Sequence, residues 1–66
     1  MKILVKSIRT GLFLNGAGGW TTKANDAIEF ATTIAAYDYC HQHRFSGTAT
    51  VIRFHNRRHD MEFRHP

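Results

Sequence analysis

The sequence contains a single cysteine, Cys40, so the chain cannot form an intramolecular disulfide. Small secreted domains commonly depend on several disulfides because their cores are small. Long hydrophobic runs are also missing: near the N-terminus the apolar residues 3–5 lie between Lys2 and Lys6, which is far too short for a signal-peptide core or a membrane span. These absences predict a cytoplasmic protein that does not bind a membrane.

Acidic residues are scarce relative to basic ones. Nine Lys and Arg face five Asp and Glu, which gives a net charge of +4 at pH 7, and five histidines can add charge in mildly acidic conditions. This balance permits an anionic partner without requiring one. The one dense basic cluster, residues 55–59, is typical of a solvated loop.

The chain has 66 residues, enough for one small α+β domain over residues 1–66. A chain of this size buries roughly 60% of its unfolded surface, so a lone monomer has marginal stability. Self-association would offset this marginal stability by burying further surface.

Two strands are predicted at the N-terminus. Residues 2–8 alternate with the period of a strand and residues 12–14 continue the pattern, while residues 9–11 supply the glycine of a tight reversal. Residues 15–19 contain three glycines and predict a loop. A phosphate cradle is the functional alternative for this loop, although it lacks the Gly-Lys-Ser/Thr ending of a P-loop.

One helix is predicted after the loop. Thr21 or Thr22 is a suitable N-cap, and the pattern ends near Arg44 and Gly47, which gives about twenty helical residues. At 100° per residue, one mainly apolar side faces the sheet, with Phe30 and Ile34 as anchors. Its members are Ala24, Ala27, Phe30, Ala31, Ile34, Ala35 and Asp38. Asp38 on that side is expected to form a salt bridge or hydrogen bond, and Cys40 is expected on the opposite, polar side.

Residues 48–54 and 60–64 predict a second strand pair. The expected fold is therefore ββαββ, an antiparallel sheet with one helix packed on one face. Because each strand carries apolar residues on both faces and one helix covers only one face, an apolar surface is left over. We therefore expect a homodimer.

Three sets of residues are candidates for a functional site. The first is a set of four possible zinc ligands with the spacings C-x2-H and H-x3-H. The order of the elements that carry them is the reverse of that in a classical zinc finger. The set comprises Cys40, His43, His55 and His59. Thiol catalysis would use Cys40 with His43 and Asp38, but Cys40 lies near the helix C-terminus, where the dipole disfavours a thiolate. We accordingly expect no enzyme activity, no cofactor and no metal.

The third candidate is nucleic-acid binding through phosphate contacts and base stacking. The basic residues would be Arg53, Arg57, Arg58, Arg64 and Lys6. The stacking residue would be Phe13, Phe54 or Trp20. The closely spaced aromatics of RNA-binding sheets are absent, and Arg57-Arg58 is too short for a basic tract.

Residues 9–14 (RTGLFL), the segment Gly19-Trp20-Thr21 and the pair Ala27 and Phe30 resemble a group of short uncharacterised bacterial proteins. The resemblance spans residues 3–40 and implies a bacterial source and the ββαββ fold. Those proteins have no assigned activity and no catalytic residues, so no site residue carries over. Two functions remain: a non-enzymatic, dimeric protein-interaction module, and a nucleic-acid-binding protein.

Overall fold

A computed structural model describes residues 1–54 and 60–65, which form one antiparallel sheet and one α-helix. The elements in chain order are β1 (Lys2–Ser7), β2 (Phe13–Leu14), β3 (Trp20–Thr21), α1 (Thr33–Gln42), β4 (Thr48–Arg53) and β5 (Met61–Arg64). The strand order is β3-β2-β1-β4-β5. The α+β class, the antiparallel sheet and the single helix on one face are confirmed.

The centre of the sheet is the pairing of β1 with β4, which runs in register from Lys2 opposite Arg53 to Ser7 opposite Thr48. The predicted hairpin between β1 and β2 is present, and its turn returns the Gly11 amide to the Ser7 carbonyl at 2.8 Å. Gly11 has a φ of 73°, a conformation that glycine adopts without strain.

The segment after the glycine loop differs from the prediction. Trp20 and Thr21 form a third short strand against β2, and Ala24–Asp26 makes one 3₁₀ turn. The chain then runs extended, so that Ile28 donates to the Leu14 carbonyl at 3.0 Å and Phe30 donates to the Ile3 carbonyl at 2.8 Å. Ile28 and Phe30 also pack on the core. Because of these tertiary contacts, residues 21–31 do not form the α-helix that their sequence pattern predicts.

The helix therefore begins about ten residues later than the prediction. Its N-cap is Thr32, whose hydroxyl accepts from the Ala35 amide at 3.0 Å. It ends at the cap residue His43, and Arg44 follows with a φ of 56°. The predicted C-terminal boundary is close to the observed one.

The helix also presents a different face to the sheet. Ala36 and Cys40 are buried, whereas Ile34 is 71% exposed and Asp38 is exposed. The prediction was wrong because its phase was set partly by residues 24–31, which are not in the α-helix. The small inward residues allow a close approach, and α1 packs chiefly on β1 and β4.

The core lies between α1 and the sheet. Ile3, Val5 and Leu14 meet Ala36 and Cys40 there, flanked by Phe30, Tyr39 and other half-buried residues. Leu4 and Val51 project to the opposite, helix-free face, yet both are buried. Lys2, Lys6 and Arg53 share that face by register, and side chains of this kind can cover apolar neighbours with their aliphatic stems.

Candidate interaction surface

A groove of about 460 Å³ lies between α1 and the β4–β5 half of the sheet. It exists because α1 covers β1 and β4 and leaves the helix-side face of β5 open. Its lining is mainly apolar: Thr33, Ile34, Tyr37, Thr50, Ile52, Phe63, Arg64 and His65. The sequence predicted an uncovered apolar set on the face opposite the helix, whereas the exposed apolar surface of this groove lies on the helix side.

Exposed hydrophobic side chains line this groove or lie beside it. Ile34 is 71% exposed, Tyr37 41% and Phe63 47%, and all three line the groove. Met61, which is 46% exposed, lies beside it as the cross-strand neighbour of the lining residue Ile52. We call these four residues, together with half-buried Ile52, the apolar patch. Solvent-exposed hydrophobic residues that are contiguous in this way are typical of an interaction site.

Among residues 1–54 and 60–65, β5 is last in the strand order, so the patch borders a sheet edge that no other described strand covers. All four residues of β5 are exposed. The His65 amide donates to the Thr48 carbonyl at 3.0 Å, so residue 65 and residue 48 form a hydrogen-bonded pair. In an antiparallel ladder such pairs alternate, which directs the backbone groups of Phe63 and Met61 to β4. The N–H and C=O groups of Glu62 and Arg64 therefore point outward from the sheet.

His65 closes one end of the groove with a polar network that the sequence analysis did not single out. Its Nδ1 lies 2.9 Å from the Thr48 hydroxyl and its Nε2 lies 2.6 Å from the Thr50 hydroxyl. Both threonines are buried, and Tyr37 packs edge-on against the imidazole at 5.4 Å. Burial lowers the pKa of His65. The continued alternation of Met61, Phe63 and His65 was the signal that could have placed this ring on the helix side.

Cys40 lies next to this network and not on a polar helix face. It is 2% exposed and lies beside the Thr48 side chain. Burial raises the pKa of the Cys40 thiol, and the neighbouring Thr48 hydroxyl opposes that rise only in part. A buried thiol with a raised pKa is a poor nucleophile.

The residues proposed for thiol catalysis are not brought together. His43 caps α1 and stacks on Tyr39 at 4.2 Å, while Asp38 is exposed on the outer side of the helix. The expectation that Asp38 lies in the buried stripe was wrong, and it makes no salt bridge within the described part of the chain.

Two members of the zinc set, His55 and His59, lie outside the described residues. The other two are Cys40, which is directed into the core, and His43, which is at the helix end. Within residues 1–54 and 60–65 no group of three or more metal-ligating side chains is clustered.

The glycine loop does not lead into a helix. Its residues are held by Asn15, whose Oδ1 accepts from the Ala17 amide at 3.0 Å and from the Gly19 amide at 2.9 Å. The next element is β3, and α1 starts only at Thr33. The alternative of a phosphate cradle at a helix N-terminus is therefore wrong for this loop.

The basic residues proposed to bind nucleic acid lie partly on the helix-free face of the sheet and partly in the segment outside the described residues. Arg53 and Arg64 lie with Lys2 and Lys6 on the helix-free face, whereas Arg57 and Arg58 lie outside the described residues. Each of the four basic residues on the helix-free face has an acidic neighbour. The pairs are Lys2–Glu29 (3.6 Å), Lys6–Glu62, Arg53–Asp60 (3.2 Å) and Arg64–Glu62 (4.0 Å).

The proposed stacking residues do not share a face. Phe13 is on the helix-free face, where the Arg53 guanidinium lies 5.6 Å from its ring centre. Trp20 pairs with buried Leu14 on the helix side and packs on Phe45 at 5.8 Å. Phe54 follows β4 and is half-buried.

Comparison with known proteins gives no family for this chain. No protein-family model, no curated protein and no solved structure matches it. The resemblance of residues 3–40 to short bacterial proteins therefore stays a prediction. In the described residues, no helix has the length and apolar character needed to cross a membrane.

Proposed function

We propose that this chain is a small, non-enzymatic protein-interaction module that binds an extended polypeptide strand at β5. The observation that carries the proposal is the coincidence of a free strand edge with the apolar patch. The outward N–H and C=O groups of Glu62 and Arg64 supply backbone hydrogen bonds, which is how strand addition gains affinity.

Side-chain chemistry supports the same mode of binding. An added strand presents alternate residues to the two sheet faces. On the helix side it would meet the apolar patch, and on the other face it would meet Glu62 and Arg64. The fitting partner segment therefore alternates apolar with charged residues.

The non-enzymatic part of the proposal is supported by the state of two reactive side chains, His65 in the groove and Cys40 in the core. Both ring nitrogens of His65 are engaged by Thr48 and Thr50, and Cys40 is buried with a raised pKa. These bonds occupy the ring nitrogens that a general base would use, and burial holds the nucleophile protonated.

The test is a chemical-shift titration of the ¹⁵N-labelled chain at low protein concentration. The probe is a capped heptapeptide that alternates valine with glutamate and lysine. We expect shift changes at residues 61–65, Ile34 and Tyr37. The matched control is the same peptide with N-methyl groups on the amides that face β5, which removes the donors and blocks strand pairing. Equal binding of both peptides, or shifts confined to other elements, would contradict the proposal.

Nucleic-acid binding remains the second candidate, because four cations and Phe13 share the helix-free face. The acidic neighbour of each cation weakens this candidate, since a paired cation has less charge to offer a phosphate. Arg57 and Arg58 would extend the basic surface, in a segment outside the described residues.

A further inference from the structure

We infer that the strand taken up at β5 is β5 of a second copy of this chain, with Phe63 of both copies on the two-fold axis. This inference rests on the proposed function and names its partner. A symmetric dimer of this kind joins the two sheets into one continuous sheet, which is a common way to satisfy exposed edges.

The backbone restricts the register. Only Glu62 and Arg64 direct their N–H and C=O groups outward within β5, so these residues must form the hydrogen-bonded pairs of the new ladder. With Phe63 on the axis, Glu62 of each copy lies opposite Arg64 of the other. The two pairs exchange four backbone hydrogen bonds, and every outward group of β5 is used.

Charge favours this register over its neighbour. With Phe63 on the axis, each Glu62 meets an Arg64 of the second copy, which gives two opposite-charge cross-strand pairs. Moving the axis to Glu62 would place the two Glu62 carboxylates directly opposite each other. Within Met61–Arg64, the register centred on Phe63 places each charged residue opposite one of the other sign, whereas the register centred on Glu62 includes a like-charge pair.

The apolar patch agrees with the same register. Phe63 projects to the helix side, because its cross-strand neighbour on β4 is the buried Thr50, which hydrogen-bonds to His65 beneath α1. On the axis it would face Phe63 of the second copy as a non-hydrogen-bonded pair, the closer of the two pair types. This contact would cover part of a ring that is 47% exposed in the single chain.

The contact is small, since β5 spans only Met61–Arg64. Interfaces at the low end of the size range are weak and transient. We therefore expect dissociation constants of about 10–100 μM, so that the dimer forms and dissociates with concentration.

Sedimentation equilibrium of charge variants tests the register. E62R places two arginines opposite each other, and R64E places two glutamates opposite each other. We expect each variant alone to raise the dissociation constant by about tenfold or more. The double variant E62R/R64E restores both pairs, and a mixture of the two single variants forms a heterodimer with all four charges matched.

E62R also removes the intrachain pairs of Glu62 with Lys6 and with Arg64, and R64E removes the second of these. Heteronuclear spectra therefore first establish that each variant is folded. Heterodimer formation in the mixture then separates a charge effect from a folding defect. Dimerisation unchanged in all variants, or double-variant dimers as weak as those of the single variants, would overturn the inferred register.

A second measurement uses crosslinking. In F63C the two introduced thiols face each other across the axis, at a Cα separation that a disulfide accepts, and mild oxidation is expected to yield a covalent dimer. M61C is the matched control, because residue 61 would face residue 65 of the second copy. Both variants retain Cys40, which is buried.

Equal crosslinking of F63C and M61C, or none in either, would overturn the inference. A chain that stays monomeric at all concentrations would do the same. If the heptapeptide still binds at β5 in that case, the proposed function stands and only the identity of the partner is wrong.

Discussion

At the residue scale, His65 stabilises the fold through a polar network that was not predicted from the sequence. Its two ring nitrogens satisfy the hydroxyls of Thr48 and Thr50, which are 1% and 2% exposed. Replacing it by alanine leaves these buried groups without that partner. We expect His65→Ala to lower the free energy of unfolding by about 1–3 kcal/mol at pH 8. Urea unfolding at fixed protein concentration measures this, with His41→Ala at an exposed helix position as the control.

The same ring predicts a pH dependence. Burial lowers the pKa of His65 below its ordinary value of 6.5 in the folded chain, so the unfolded chain takes up the proton first as the pH falls. Its contribution to stability is therefore complete above pH 6.5 and is lost as the pH drops through the folded-state pKa. Around the ring lie Tyr37, Thr48 and Thr50, none of them cationic near neutral pH. Between pH 8 and pH 5 the free energy of unfolding, measured by urea unfolding, should decrease more for the native chain than for His65→Ala. Parallel pH profiles would contradict the assigned role.

At the scale of elements, the start of α1 distinguishes the sequence-based prediction from the structure. Thr32→Ala removes the hydroxyl that accepts from the Ala35 amide, and we expect a loss of about 1 kcal/mol in the free energy of unfolding. Thr22→Ala, at the N-cap position that the sequence predicted, should change stability by less than about 0.5 kcal/mol. Urea unfolding of both variants decides the point, and a larger loss for Thr22→Ala would mean that the helix starts earlier in solution.

The elements that the sequence predicted well are those whose patterns are local. β1, β4 and β5 follow from alternation and β-branched residues, and the β1–β2 turn follows from Gly11. The helix start could not be predicted in this way. The bonds of Ile28 and Phe30 go to Leu14 and Ile3, which are distant in sequence, so no local pattern reveals them.

The candidate site was only partly predictable for the same reason. The sequence indicates that Met61 and Phe63 share a face and that some apolar surface is left over. Its position depends on which strands the helix covers, and the short α1 with inward Ala36 and Cys40 leaves β5 open. Once residues 24–31 were included in the helix, the phase was wrong and Cys40 was placed on the solvent side.

At the scale of the whole molecule, the net charge of +4 raises the question of whether the helix-free face binds nucleic acid. Four free cations contacting single-stranded DNA would give a slope of about −3 for log K against log salt. Lys2, Lys6, Arg53 and Arg64 each have an acidic neighbour, and these carboxylates reduce the positive charge that the face offers to phosphates. We therefore expect weak binding with a slope of about −1 or shallower.

Fluorescence anisotropy with a labelled random oligonucleotide, at about 20 mM and about 150 mM salt, measures this slope over a range in which screening of phosphate contacts rises from weak to strong. The informative variant is Lys2→Ala combined with Glu29→Ala, which removes one cation and its acidic neighbour together and leaves the net charge unchanged. Unchanged affinity in that variant would mean that Lys2 does not contact phosphate and would agree with a positive charge that only keeps the protein soluble. A slope near −3 that becomes shallower by about one unit in the variant would show that this face contacts phosphates, and nucleic-acid binding would then replace strand addition as the leading function.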